Sequence, residues 1–206
     1  AMVFTALMAG TYRATAPYVA ASALAEKLRL IGEVLPQTLY DNDLLADALI
    51  LPPQEMLGLD DETRVWRARK KGVPVALVLE AAAADGYAGR IGLILAVDKD
   101  GKLIALRVTS HKETPGLGDY INPKKDRNKA RPWITQFNNL GFDTITPKSW
   151  RVKRDGGHFD QMSGATISAR AVTNASGLAL AWAAARRDRL FLLPPNTSYT
   201  EERTPQ

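Results

Sequence analysis

Residues 63–109 read TRVWRARKKGVPVALVLEAAAADGYAGRIGLILAVDKDGKLIALRVT, and their period decides the fold class. Val65 and Trp66 open a predicted strand that ends at the Lys71-Gly72 turn. Val73–Leu79 is an apolar run rich in β-branched residues, the pattern of a buried strand. Asp85-Gly86 marks a break, and Ile91–Val97 and Leu103–Thr109 predict two further strands. Asp98-Lys99-Asp100-Gly101 joins the last two and carries the Asp-Gly step of a hairpin turn. It resembles half an EF-hand loop but lacks the glutamate at position twelve, so a plain turn is the better reading. The connections are short, so the strands read as an antiparallel meander.

Upstream, Pro17 to Leu35 reads as an amphipathic helix stopped by Pro36, with Leu24, Leu28, Ile31 and Leu35 on one face. A polar link with Pro52-Pro53 follows it. Downstream come a Gly/Pro-rich loop at His111–Tyr120, a basic segment, a short helix around Trp133–Leu140 and a short strand at Trp150–Lys153. The last element is an Ala/Leu-rich helix over Ile167–Arg189, closed by Pro194-Pro195. Its terminal Arg186, Arg187 and Arg189 suit the negative end of a helix dipole. Strands in one block followed by helices predict an α+β fold: an antiparallel sheet meander packed with helices and preceded by an N-terminal helix.

The chain has 206 residues, enough for one domain with an appendage. It holds 46% apolar and 24% charged residues, so the bulk can bury a core and is not disordered. There is no Cys, which excludes disulfides, iron–sulfur clusters, thiolate zinc sites and thiol nucleophiles. The two His, His111 and His158, are far apart in sequence, and no metal site is expected. No apolar run reaches the ~18 residues of a membrane span. Residues 1–10 (AMVFTALMAG) are apolar apart from one Thr. They fit a buried segment, a signal-peptide remnant or the end of a span. Twenty-seven Lys and Arg against 22 Asp and Glu give +5. Seven acids and one base lie between Tyr40 and Trp66, and eleven bases and four acids between Arg107 and Arg154, which read as two solvated faces or as a basic surface facing an anion or an acidic partner. The basic stretch at Lys124–Trp133 has a single aromatic and no nucleic-acid-binding pattern beside it, so no nucleic acid is expected as a partner.

No GxSxG, HExxH, Walker loop or GxGxxG is present. Two segments carry the chemistry. The first is Asp160-Gln161-Met162-Ser163-Gly164-Ala165-Thr166, directly before the last helix. Ser163 or Thr166 suits the N-cap. Gly164 and Ala165 let the backbone approach a ligand, and a helix N-terminus offers free N–H groups to a phosphate. Asp160 could serve a metal ion that handles the phosphate. The second is Glu113-Thr114-Pro115-Gly116-Leu117-Gly118, at the end of a strand. As well as a tight surface connection, it reads as a loop presenting backbone N–H groups, the Thr114 hydroxyl and Leu117 to a flat ligand.

HKETPGLGDYI at 111–121, GGHFDQMSGATIS at 156–168 and the Ala-rich helix after it resemble the FMN-binding domain of the G subunit of Rnf-type electron transport complexes. The EVLP segment at 33–36 and the VLEAAAADGYAGRIGLILAVD stretch fall in the same order. The same domain type occurs in the C subunit of sodium-pumping NADH:quinone reductase, and the GGHFDQ lead-in is nearer the Rnf version. The resemblance implies FMN joined through its phosphate to Thr166, with Asp160 and Ser163 in the other motif positions. A separate flavin transferase makes that bond from FAD with a divalent metal. Met162 stands where the family pattern leads one to expect an aromatic residue.

On this reading the cofactor site is Thr166, Ser163, Gly164, Ala165, Asp160, Glu113, Thr114, Gly116, Leu117 and Gly118, with no catalytic residue in the chain itself. Neutral backbone donors near the ring would favour its anionic reduced forms. The resemblance further implies an electron-transfer subunit of a bacterial inner-membrane complex that couples ferredoxin/NAD redox chemistry to sodium or proton movement. The other subunits are its partners, a single N-terminal helix anchors it, and the soluble domain lies on the periplasmic side. Residues 1–15 are then the end of the anchor, 16–62 the N-terminal helix and acidic linker, 63–195 the FMN-binding domain and 196–206 a polar tail. The rival readings are the quinone-reductase relative and a structural or binding subunit without flavin.

Overall fold

The computed structural model describes residue 22 and residues 25–201. Six strands form one sheet in chain order, every neighbour antiparallel: β1 (Ala48–Leu51), β2 (Thr63–Lys70), β3 (Val73–Gly86), β4 (Gly89–Asp98), β5 (Lys102–Ser110) and β6 (Leu140–Gly141). The meander of β2 to β5 is the one expected from residues 63–109. Lys71 and Gly72 both take positive φ, 51° and 79°, the two-residue turn whose twist suits the strands it joins. At the β4–β5 turn the Asp98 carboxylate accepts the N–H groups of Asp100 and Lys102, both at 2.8 Å.

Strand alternation sends β side chains to two cores. On one face Trp66, Ala68, Ala76, Val78, Ile94 and Ala96 pack with Ile31 and Val34 of helix α1 (residues 25–34) and with Leu35 just after it. Leu28, expected on the buried stripe of that helix, is 42% exposed, and Leu24 lies outside the described residues. On the other face Val65, Leu77, Leu79, Ile91, Leu93 and Leu95 pack beneath helix α2 (Thr166–Leu192). Ala169, Ala171, Ala175, Ala179 and Ala183 of α2 are buried, and such small side chains let a helix lie close to a sheet. Val172, Leu180 and Leu190 are wholly buried, worth about 1.5–3 kcal/mol each. At the far end of α2, Arg67 and Arg69 on β2 donate to the carbonyls of Leu190, Leu193 and Phe191.

Several local expectations are corrected. Trp150–Lys153 is not a strand: Val152 makes one isolated bridge to Phe159, and Lys153–Asp155 is a 3-10 turn. The segment is held by ring packing, with Phe137 stacked on Phe159 at 4.4 Å and Trp150 edge-on to Phe159 at 4.9 Å. The helix near Trp133 is a 3-10 turn, Trp133–Phe137, and Leu140 instead enters β6 against Leu103. β1 lies inside the stretch read as an acidic linker, paired with β2. Asp47 of that stretch is no solvated acid, because its carboxylate meets Arg67 and Arg69. The basic segment is a loop organised by buried Asp126, which accepts the N–H groups of Asn128 (2.9 Å) and Trp133 (2.5 Å). In the segment read as a polar tail, Tyr199 is buried and its N–H donates to Ile50. Residues 1–15 lie outside the described residues. Among those described, no helix is long and apolar enough to cross a membrane.

Candidate functional site

Strand β5 ends at Ser110, and the chain turns back under the N-terminus of α2. Glu113 holds that turn in place. It is 4% exposed, yet both carboxylate oxygens are used: one accepts the Ala88 N–H at 3.0 Å, the other the Ser168 hydroxyl. One side chain therefore joins the β3–β4 turn, the Glu113–Gly118 loop and the first turn of α2. Gly118 makes that junction fit. A Cβ there would lie 2.5 Å from Ser168 Oγ and 2.8 Å from Glu113 Oε2. Gly116 takes φ 76°, and its N–H donates to Asp119 at 2.9 Å. Thr114, Gly116 and Leu117 are exposed.

The Asp160–Thr166 segment arrives from the other side. Trp133 Nε1 donates to the Asp160 carbonyl at 2.5 Å, and the Asp160 N–H donates to Gln136 at 2.8 Å. The Asp160 side chain is exposed and pairs with Lys153 at 2.6 Å. The Met162 N–H donates to the Tyr120 hydroxyl at 3.1 Å. Burial pushes the Tyr120 phenol up to about 12. Ser163 is exposed, Gly164 takes φ 84°, and Thr166 begins the helix at 7% exposure. Neither Ser163 nor Thr166 is the N-cap. Ala165 is, and no side chain caps the first turn. The helix N-terminus keeps its N–H groups and partial positive charge for another acceptor.

These two segments border one cavity of about 240 Å³, lined by Tyr87, Glu113, Thr114, Leu117, Gly118, Gly164, Ala165, Ile167 and Ser168. Thr166 is flanked by lining residues on both sides without contributing to the wall. Asp160 and Met162 do not reach it. They line a separate cavity of about 450 Å³ with Tyr120, Trp133 and Gln136. Its larger size does not make it the better site, since it contains neither the Glu113–Gly118 loop nor the helix start. Sequence reasoning assigned no role to Tyr87 or Ser168. Tyr87 is a 68% exposed aromatic at a tight turn, the signal that was available. Ser168 stands two residues beyond the Asp160–Thr166 segment, and its place at the site is seen only once the helix is placed. Among the described residues no group of three or more His, Asp or Glu is arranged to hold a metal.

The walls suit part of a flat amphipathic cofactor. Leu117, Ile167 and Tyr87 give exposed apolar surface, and Thr114 and the uncapped helix start give polar contacts. A volume of about 240 Å³ is below the ~300–1,000 Å³ of pockets that engulf a ligand. A flat group seated there would stay partly open to its surroundings.

The chain is 37% identical over 194 residues to the G subunit of the ion-translocating oxidoreductase complex of Shewanella amazonensis, covering 94% of this chain and 88% of that one. It is 38% identical over 193 residues to the protein of the same name from Pectobacterium atrosepticum, covering 93% and 85%. This chain belongs to the family of ion-translocating oxidoreductase G subunits. A third member, from Photorhabdus laumondii, is 40% identical over 174 residues, covering 84% and 80%. Residues 86–181 match the family model described as an FMN-binding domain. The matched region opens at the turn that carries Tyr87 and contains both loop segments.

Proposed function

We propose that this chain carries FMN esterified through its phosphate to Thr166 and passes electrons to and from other redox centres of a membrane-bound Rnf-type complex. The observation that carries this reading is the uncapped start of α2 at Thr166, opening beside a cavity with an apolar rim. FMN, when bound, supplies reversible electron uptake and release. The chain's own residues do the rest. N–H groups of the first helical turn face the phosphate, whose remaining negative charge suits that end of the dipole. Leu117, Ile167 and Tyr87 offer apolar surface to the ring; in the Glu113–Gly118 loop the N–H groups of Glu113, Gly116 and Leu117 are already donated to His111, Asp119 and Thr114, which leaves those of Thr114 and Gly118 for the ring edge. A cavity this shallow buries too little area to retain a cofactor by contact alone, and a covalent tether removes that requirement.

Ser163 and Gly164 shape the approach to Thr166. Asp160, exposed outside the cavity, is placed to serve the metal of a flavin transferase during attachment. The proposal extends to an N-terminal membrane anchor, a domain on the periplasmic side, and partners that supply ferredoxin and NAD chemistry and the ion path. Cleavage by protease added only from the periplasmic side tests that topology, and cleavage only from the cytoplasmic side overturns it. The attachment is tested by co-expressing the chain with a flavin transferase and weighing it denatured. A gain of one FMN less water, with in-gel fluorescence, is expected, and both vanish in Thr166→Ala. A wild-type chain of bare polypeptide mass overturns the reading; retained fluorescence in the variant moves the attachment elsewhere.

A further inference from the structure

The lining of the flavin cavity has an uneven charge. It contains no Lys or Arg, and Glu113 is its carboxylate. The groups packed around Glu113 leave that charge unpaired by any cation. From the β3–β4 turn comes the Ala88 N–H, with Tyr87 beside it. From α2 comes the neutral Ser168 hydroxyl. From its own loop, His111 Nδ1 accepts the Glu113 N–H at 3.2 Å, and the Asp119 carboxylate is occupied by Gly116. The nearby cations on adjoining elements are engaged elsewhere, Arg90 with Asp60 and Arg170 with Asp155. Lys112 is exposed. Burial at 4% exposure keeps water from screening the carboxylate.

We propose that Glu113 is the positioning residue that sets the flavin's reduction potential, holding it low through a buried negative charge at the cavity wall. The inference rests on FMN occupying this cavity. An electron delivered by a partner redox centre adds one negative charge to the ring, and that charge meets the Glu113 carboxylate at the cavity wall, where burial keeps water from the carboxylate itself. Reduction is opposed by this repulsion unless a proton is taken up from solvent with the electron. The N–H groups of Thr114 and Gly118, the ones the loop does not use itself, act in the opposite sense, favouring negative charge on the ring, so the potential reflects the balance of the two. Ser168 tunes that balance, because its hydroxyl donates to the carboxylate and spreads its charge.

The test is a spectroscopic redox titration of the flavin-loaded chain at one pH, on wild type, Glu113→Gln and Ser168→Ala. Glutamine keeps an oxygen for the Ala88 N–H and turns its amide to the Ser168 hydroxyl, so the junction survives while the charge is lost. The reduction equilibrium should shift about tenfold toward the reduced form, about 59 mV for one electron. Ser168→Ala strips a donor from the carboxylate and should shift it the other way. A Glu113→Gln midpoint equal to wild type overturns the inference. Should that variant come out without flavin, the Ser168→Ala midpoint decides: no downward shift overturns it. A wild-type chain that carries no flavin overturns the parent reading, a result distinct from a loaded chain whose potentials do not move.

Discussion

Replacing Arg67 by methionine removes a guanidinium that ties the end of α2 to the sheet. Arg67 is wholly buried. Its Nη1 donates to the carbonyls of Leu190 (2.9 Å) and Leu193, and its Nη2 to Asp47. Burial pushes its pKa below the usual guanidinium value, and the charge of Asp47 opposes that shift. Methionine fills much of the same apolar length and offers no donor. Leu190 is buried, so its carbonyl would stay dry at a cost of about 1–3 kcal/mol. Leu193 is half-buried, and water can replace the donor there. The charged bond to Asp47 is worth about 1.5–3 kcal/mol more. Two effects offset part of this. Asp47 keeps Arg69 at 2.8 Å, and the Arg67 Nε, which has no partner among the described residues, is no longer buried. The balance is a loss of about 3 kcal/mol, at the low end for breaking a buried ion pair. Urea unfolding of wild type and variant in the same flavin-loading state measures it, as a lower midpoint at unchanged slope. A loss below about 1 kcal/mol would refute the reasoning, since the helix end would then be held by something else.

Gly118→Ala should destabilise by about 1–3 kcal/mol through overpacking against Ser168 and Glu113 and should lower flavin loading. Gly116→Ala meets open space and pays only for φ 76°, about 1–2 kcal/mol, so the ordering of the two melting temperatures checks the close approach. Asp160→Ala should leave stability within about 1 kcal/mol, because its ion pair is exposed and its backbone is held by Trp133 and Gln136, while flavin loading falls. Full loading at wild-type yield would count against a role for that carboxylate. One of the six tyrosines should ionise late, near pH 12, in an ultraviolet titration. The fold raises the Tyr120 pKa above its unfolded value of about 10, so its contribution is complete below pH ~10 and is lost as pH rises toward 12. Tyr120→Phe should remove both the late step and that slope.

Local patterning was enough to read the sheet. The order of the meander was legible because hairpin strands pair with their neighbours in sequence; its register was not, since the pairing shifts at Ala68/Arg69, Ala83/Gly86, Gly92/Leu93 and Ala96/Val97. The long C-terminal helix was legible from its Ala/Leu run, and Glu113–Gly118 and Asp160–Thr166 stood out by composition and by the family they resemble. Short elements were not legible. β1 and β6 owe their existence to a partner strand, and Trp150–Lys153 makes one isolated bridge instead of a strand. The cavity itself needed the tertiary structure. Glu113 and Ser168 are 55 residues apart, as the span of their hydrogen bond shows, and no window of sequence joins them. The same holds for Arg67 and the end of α2, separated by 123 residues. Sequence alone determined the four long meander strands and the C-terminal helix, since those depend on neighbours along the chain. Tertiary structure alone decided which buried charge faces which partner, since that depends on chain closure and on the water it excludes.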